Sequence, residues 1–361
     1  MNILYILSAI LLLGILVAAH EWGHFISARA LGIAVDEFSI GFGPKLLGWK
    51  SRKHDTAFSL RLIPMGGYCA FHGEDDREGA FRDDSRAYAK QPVWKRMISV
   101  LMGPGMNFIL ALAVLMAYYL AAGVPSSATV EPYLSQISPG SPAAIAGLAA
   151  EDVITRVNGV DVLDGTADTL LDALRVTDGE TPIALTVRRG GEERALTIDH
   201  AEWNAGENRY MIGVVISQRV LEIVRAPVSI GEALRYSWDD CVYAGGAILR
   251  ALKGLVTTGE GFEDTSGPVG VISIVSEQVA SGGLDTYLEL LAVISINLGL
   301  MNLLPIPGLD GSRFLFMLLE AIRRKPIAPE KEAMVHLAGM VFLFGVMIVF
   351  TFRDVMRLFG E

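Results

Sequence analysis

The strongest constraint on this chain is where charge is missing. Four stretches carry no Asp, Glu, Lys or Arg: the residues before Glu21, and the runs between Arg96 and Glu131, Glu289 and Asp310, and Glu332 and Arg353. A helix crossing a bilayer needs about 20 predominantly apolar residues, and four segments meet or approach that length. Composition agrees. Hydrophobic residues make up 52% of the chain and charged residues 19%, where soluble domains run near about a quarter charged. The net charge of −10 argues against a nucleic-acid partner, because phosphate binding needs a basic surface. With only Cys69 and Cys241, the chain has no disulfide framework and no cysteine-based metal site. It reads as a multi-pass α-helical membrane protein of about four transmembrane helices with room for one soluble domain. The first apolar stretch lacks a basic leader and a small-residue cleavage site, so it reads as a retained helix.

Loop charge sets the expected orientation. Arg29, Lys45, Lys50, Arg52, Lys53 and Arg61 follow the first span, and Arg323, Arg324, Lys325 and Lys331 follow the third. Both loops are expected on the cytoplasmic side, with both termini and the acidic region between spans two and three outside. Arg353 and Arg357 run weakly against this map.

That outside region changes character from about Thr129 to Ser217. Tyr133 to Ile137 reads as a strand, Pro139 to Leu148 as a turn into a short helix, and Asp152 to Gly159 as a strand running into a turn. Ala167 to Arg175 has helical spacing, and Ile183 to Val187 and Ala195 to Ile198 flank a hairpin turn at Arg189-Gly-Gly-Glu192. SPAAIAGL followed by DVITRVNG resembles a PDZ domain of the bacterial protease-associated type, which implies capture of an extended peptide along a strand edge. A generic α+β domain without a ligand is the alternative. Residues Ile230 to Val256 form an amphipathic helical pattern, read as an interfacial helix or as a strut for the outside domain.

The chemistry is carried by His20-Glu21-Trp22-Gly23-His24 at the end of the first span. Residues four apart share one helix face. Two imidazoles so placed converge on one Zn²⁺, and the intervening glutamate reaches the water that the metal activates. Histidine and glutamate at the edge of an apolar span are costly unless they function. Capping of the helix end by the two histidines is the alternative. A catalytic zinc takes three protein ligands and leaves one position open. The third is sought in Asn302-Leu-Leu-Pro-Ile-Pro-Gly-Leu-Asp-Gly311, where Pro305 and Pro307 break the helix and Gly308 and Gly311 let the chain turn Asp310 inward. A cap on the helix that begins at Ser312 is the other reading of Asp310.

HExGH in the first span, a PDZ-like unit outside and NxxPxPxLDG in the third span together resemble the site-2 protease family of intramembrane zinc metalloproteases, in the branch typified by the regulator of sigma-E protease. The resemblance covers essentially the whole chain. It implies His20, His24 and Asp310 as zinc ligands, one Zn²⁺ per chain, Glu21 as general base, and Asn302 as a group that holds substrate backbone or the oxyanion. An interhelical hydrogen bond is the other reading of Asn302. It also implies substrate contact near Gly41, Phe42 and Gly43, and along Leu60 and Leu62 of a membrane-associated β-hairpin close to the active site. There an unwound substrate strand would pair with an exposed edge. Asn107, in Gly103-Pro-Gly-Met-Asn107, either lines the cavity or serves helix packing. The departure from the best-known member is one PDZ unit in place of two.

The expected organisation is helix 1 over 1–31, a cytoplasmic-side loop and hairpin over 32–95, helix 2 over 96–124, the PDZ unit over 128–217, an amphipathic linker over 218–283, helix 3 over 284–325 and helix 4 over 333–355. The expected setting is the bacterial inner membrane. The expected partners are single-pass transmembrane substrates such as anti-sigma-like regulators or remnant signal peptides, a peptide or substrate ectodomain at the PDZ unit, and an upstream site-1 protease. A PDZ-bearing adaptor with a vestigial metal site is the competing reading. A metal transporter is disfavoured, because Asp310 is the only acid deep in an apolar span.

Overall fold

A computed structural model describes residues 2–51, 55–74, 84–162, 179–204, 208–262, 265–325 and 327–359. The chain divides into two compact units, one of residues 1–122 with 228–361 and one of residues 123–227.

The first unit holds the apolar helices. Helix α1 (Ile3–Ala30) starts where the Asn2 side chain accepts the Leu4 N–H, and α2 (Val93–Ala122) carries Pro104 within it. A Cβ at Gly23 would run into the Met102 carbonyl, so the two helices touch backbone to backbone there. Helix α4 (Ile230–Thr257) opens on a capping box, Ser229 with Glu232. The run α5 (Pro268–Leu303) is broken at Gly283, whose φ of 65° and ψ of −142° no helix allows. Its second part, from 284 to 303, is about 30 Å long and matches a bilayer core, whereas the first part falls short at about 22 Å. Helices α6 (Asp310–Arg323) and α7 (Pro329–Phe359) complete the unit. Four of these helices, α1, α2, α5 and the 330–357 stretch of α7, are long and apolar enough to cross a membrane. Between such helices lipid supplies no hydrophobic driving force, so close packing carries the association. Ala9, Leu12 and Leu16 pack on Val275, Val279 and Leu291, and Ala111 and Leu115 on Ala292 and Ile296.

Strands β1 (Val35–Lys50) and β2 (Ala57–Phe71) fold on themselves into one sheet. Phe38 is flanked by Phe58 on one side and Cys69 on the other, while Trp49 pairs with Phe58. The order is therefore 45–50, 57–61, 35–40, 67–71, which leaves 67–71 at one margin. Arg61 ties the sheet together by donating to Glu37 at 3.0 Å and to the Tyr68 hydroxyl at 2.7 Å.

The second unit contains β3 (Val124–Ile137), α3 (Pro142–Ile145), β4 (Val153–Val157), β5 (Val160–Asp161), β6 (Ile183–Arg189), β7 (Glu192–Ile198), β8 (Glu202–Asn204), β9 (Arg209–Met211) and β10 (Val214–Ala226). Its main sheet runs β10-β3-β4-β6-β7 with β5 on β4, over a core of Leu134, Ile154, Leu185, Val187 and Ile198. The buried Asp152 carboxylate takes both arms of Arg189 at 2.6 Å and the Ala149 N–H at 2.9 Å. The unit is longer than the 128–217 expected from sequence. The early residues of β3 pair with the late residues of β10, Val124 with Ala226, so a ribbon continues beyond the domain core. The helical pattern at Ala167 to Arg175 lies outside the described residues.

Candidate metal centre

His20 and His24 stand one turn apart on α1, and the turn after α5 brings Asp310 to meet them. Nε2 of His20 and Nε2 of His24 are 3.3 Å apart, and Oδ2 of Asp310 lies 3.1 and 3.3 Å from them. All three side chains are nearly buried, with His20 9% and His24 7% exposed. Asp310 is the first residue of α6, and no side chain caps that helix. Its carboxylate is therefore turned to the histidines rather than to the helix end.

The Ser99 carbonyl, which can only accept, sits 2.9 Å from His24 Nδ1, so that nitrogen carries the hydrogen. Asn107 places its amide 3.2 Å from His20 Nδ1, and its own Oδ1 is buried without a partner. The two amide orientations are nearly isosteric. With a metal on Nε2, His20 Nδ1 would carry the hydrogen and the amide would turn Oδ1 to it. Both Nε2 atoms face the buried Asp310 Oδ2. With hydrogens on both Nδ1 atoms alone, two imidazole lone pairs and a carboxylate oxygen point at one spot, a donor set that suits a cation. Donors around a tetrahedral zinc at bonds of about 2.0–2.1 Å stand about 3.3 Å apart, so these residues fit such an ion.

A cavity of about 370 Å³ opens on the cluster, lined by His20, Glu21, His24, residues 67–71, Glu74, Asn302, Gly308, Leu309, Asp310 and Arg313. Glu21 is 9% exposed, beside His20 and facing this space. Asn302 lines the cavity and donates to Leu298 of its own helix at 3.0 Å, so the bond is not an interhelical one. Arg313 pairs with Glu74 at 2.7 Å across the mouth. Burial, reinforced by the Glu21 carboxylate, pushes the Cys69 thiol well above its ordinary range.

The structure separates the other expected contacts from this space. Phe42, Leu60 and Leu62 are exposed and, with Gly41 and Gly43, lie outside the cavity lining. The sheet residues that reach the cavity are 67–71. Asn107 is fully buried behind His20 and presents no surface to a substrate. Gly103 went unrecognised in the sequence: a Cβ there would overlap the His24 ring.

The family model of peptidase family M50 matches residues 8–346. The chain belongs to peptidase family M50, the site-2 protease family. This M50 peptidase is 32% identical over 433 residues to the regulator of sigma-W protease RasP of Bacillus subtilis, covering 98% of this chain and 99% of that protein. It is 33% identical over 355 residues to a putative zinc metalloprotease of Clostridium acetobutylicum, with 98% of each chain covered. Among solved structures, the PDZ domain of an SdrC-like protein from Listeria monocytogenes is similar over 26% of this M50 chain and 93% of that one, at 17% identity and a TM-score of 0.22.

Proposed function

We propose that this chain is a zinc endopeptidase that cuts the membrane-spanning segment of single-pass proteins, with His20, His24 and Asp310 as ligands of one Zn²⁺. The observation that carries the proposal is the convergence of two imidazole Nε2 atoms and one carboxylate oxygen within 3.1–3.3 Å of one another. When bound there, zinc lowers the pKa of water and polarises the scissile carbonyl.

The chain's own residues do the rest. The Glu21 carboxylate takes the proton of the attacking water and delivers it to the departing amide nitrogen. Asn302 offers its side-chain amide to the developing oxyanion. The strand margin at 67–71 receives the unwound substrate as an added strand, because a transmembrane helix must give up its internal hydrogen bonds before a protease can reach its backbone. On this reading substrate contact lies at 67–71, the part of the sheet that lines the cavity. The 123–227 unit acts as an extracytoplasmic PDZ-type filter, admitting substrates already shortened by a site-1 cut. The basic loops put the active site toward the cytoplasmic side of a bacterial inner membrane.

The test is cleavage of a tagged single-pass substrate by the full-length protein in detergent, with and without a chelator. Cleavage is expected to stop with the chelator and to return with zinc. Glu21→Gln is expected to abolish cleavage while bound zinc stays near one per chain. His24→Ala or Asp310→Ala is expected to lose both. A wild-type protein that binds no zinc and cuts nothing would overturn the proposal in favour of a membrane adaptor.

A further inference from the structure

The Asp310 turn is held from behind by the last helix. Pro305 and Pro307 have no N–H to donate, so the segment between α5 and α6 closes with few bonds of its own: Leu304 N–H to Met301 at 3.1 Å and Leu309 N–H to Ile306 at 3.0 Å. The Gly308 N–H, two residues before Asp310, leaves the turn and donates to Nδ1 of His336 on α7 at 3.1 Å. The Ser312 hydroxyl lies 3.5 Å from the same nitrogen. The helix backbone is equally close, because a Cβ at Gly339 would collide with the Pro307 carbonyl. Gly308 itself has φ +100°, a conformation that other residues rarely adopt, so the turn has one way to sit.

The His336 ring is committed by this contact. A nitrogen that accepts from Gly308 carries no proton, so the hydrogen is on Nε2. Nε2 is buried without a hydrogen-bond partner among the described residues, and Glu332 Oε1, one turn earlier on α7, stands 3.7 Å away. That carboxylate favours the Nε2–H tautomer that leaves Nδ1 free to accept. His336 is not part of the cavity lining, so it acts only through the turn.

We propose that His336 is a positioning residue of the metal centre: by accepting the Gly308 N–H it fixes the turn that aims the Asp310 carboxylate at His20 and His24. The inference rests on the reading of Asp310 as a metal ligand. Groups that orient a ligand in this way typically account for about 10–100-fold in metal affinity.

The test uses full-length protein in detergent, with zinc affinity from competition against a chelating indicator and the visible spectrum of the cobalt-loaded protein. His336→Ala is expected to weaken zinc binding about 10-fold or more and to diminish the cobalt bands. An asparagine places its Oδ1 where Nδ1 stands, whereas a glutamine places its Oε1 where Nε2 stands. His336→Asn should therefore recover most of the affinity and spectrum, and His336→Gln should resemble His336→Ala. This contrast remains informative even where all three variants lose thermal stability, because a purely space-filling role predicts that glutamine does at least as well. Wild-type affinity and spectrum in His336→Ala, or recovery by Gln equal to that by Asn, would overturn the proposal. Absence of metal binding in the wild type would instead overturn the reading of Asp310 on which it rests.

Discussion

Gly103 lies directly against the imidazole of His24, so close that a Cβ added there would overlap Nε2, the nitrogen turned toward Asp310. The glycine sits inside α2, where it costs about 1 kcal/mol of helix stability relative to alanine. Its place is explained by the ring it admits. Gly103→Ala is expected to weaken zinc binding at least about 10-fold, with the overlap offsetting or exceeding the gain in helix propensity, so that thermal stability does not rise. Melting and zinc competition on the same preparation check this. Unchanged affinity would mean that His24 can pivot away and still bind.

With a metal on both Nε2 atoms, the Asn107 amide turned to present Oδ1 would do for His20 what the Ser99 carbonyl does for His24. Removing its acceptor leaves the His20 Nδ1–H facing apolar surroundings, so Asn107→Ala should weaken zinc about 10–100-fold. Asn107→Asp keeps an acceptor at the same place and should retain zinc. The comparison is made by competition titration. Equal loss in both variants would show that the residue matters for helix packing alone.

These two predictions also mark what the sequence could not show. The histidines and Asp310 were legible because polar groups in apolar runs stand out, and because HExxH has helical spacing. Gly103 and Asn107 have the same four-residue spacing as His20 and His24. On an antiparallel neighbour, that spacing sets Gly103 against His24 and Asn107 against His20. The spacing alone does not say which faces meet. Their rotation is set by packing, here by the backbone contact of Gly23 with Met102. The strand segment 124–130 was hidden for a different reason. It continues the charge-free run of the second span, and only pairing with 220–226 turns it into a sheet.

Asp354 near the end of α7 is 4% exposed and accepts the Gly270 N–H at 2.8 Å. It stands in for a cap, since the helix from Pro268 starts at Gly267, which has no side chain to offer. Asp354→Ala should cost about 1–3 kcal/mol through the orphaned donor. Asp354→Asn should cost much less, since its carbonyl still accepts. Thermal unfolding in detergent checks the order, and a reversed order would dismiss the cap.

Gly67 on the strand margin abuts Glu21, the proposed general base. A Cβ there would stand 2.7 Å from the Ser39 carbonyl and 3.0 Å from Cγ of Glu21. The carbonyl belongs to the adjacent strand and cannot yield easily, so the strain falls on the glutamate. A base held in position contributes about 10²–10⁴-fold to proton-transfer chemistry, so a small displacement is expensive. Gly67→Ala should therefore lower kcat for a model transmembrane substrate at least about 10-fold, with zinc still near one per chain, because Glu21 is not a ligand. The measurement pairs a cleavage time course with metal analysis. Loss of zinc together with activity would mean that the sheet supports the ligands rather than the base. Gly67 and Gly103 would then belong to one structural unit instead of the two functions assigned to them here.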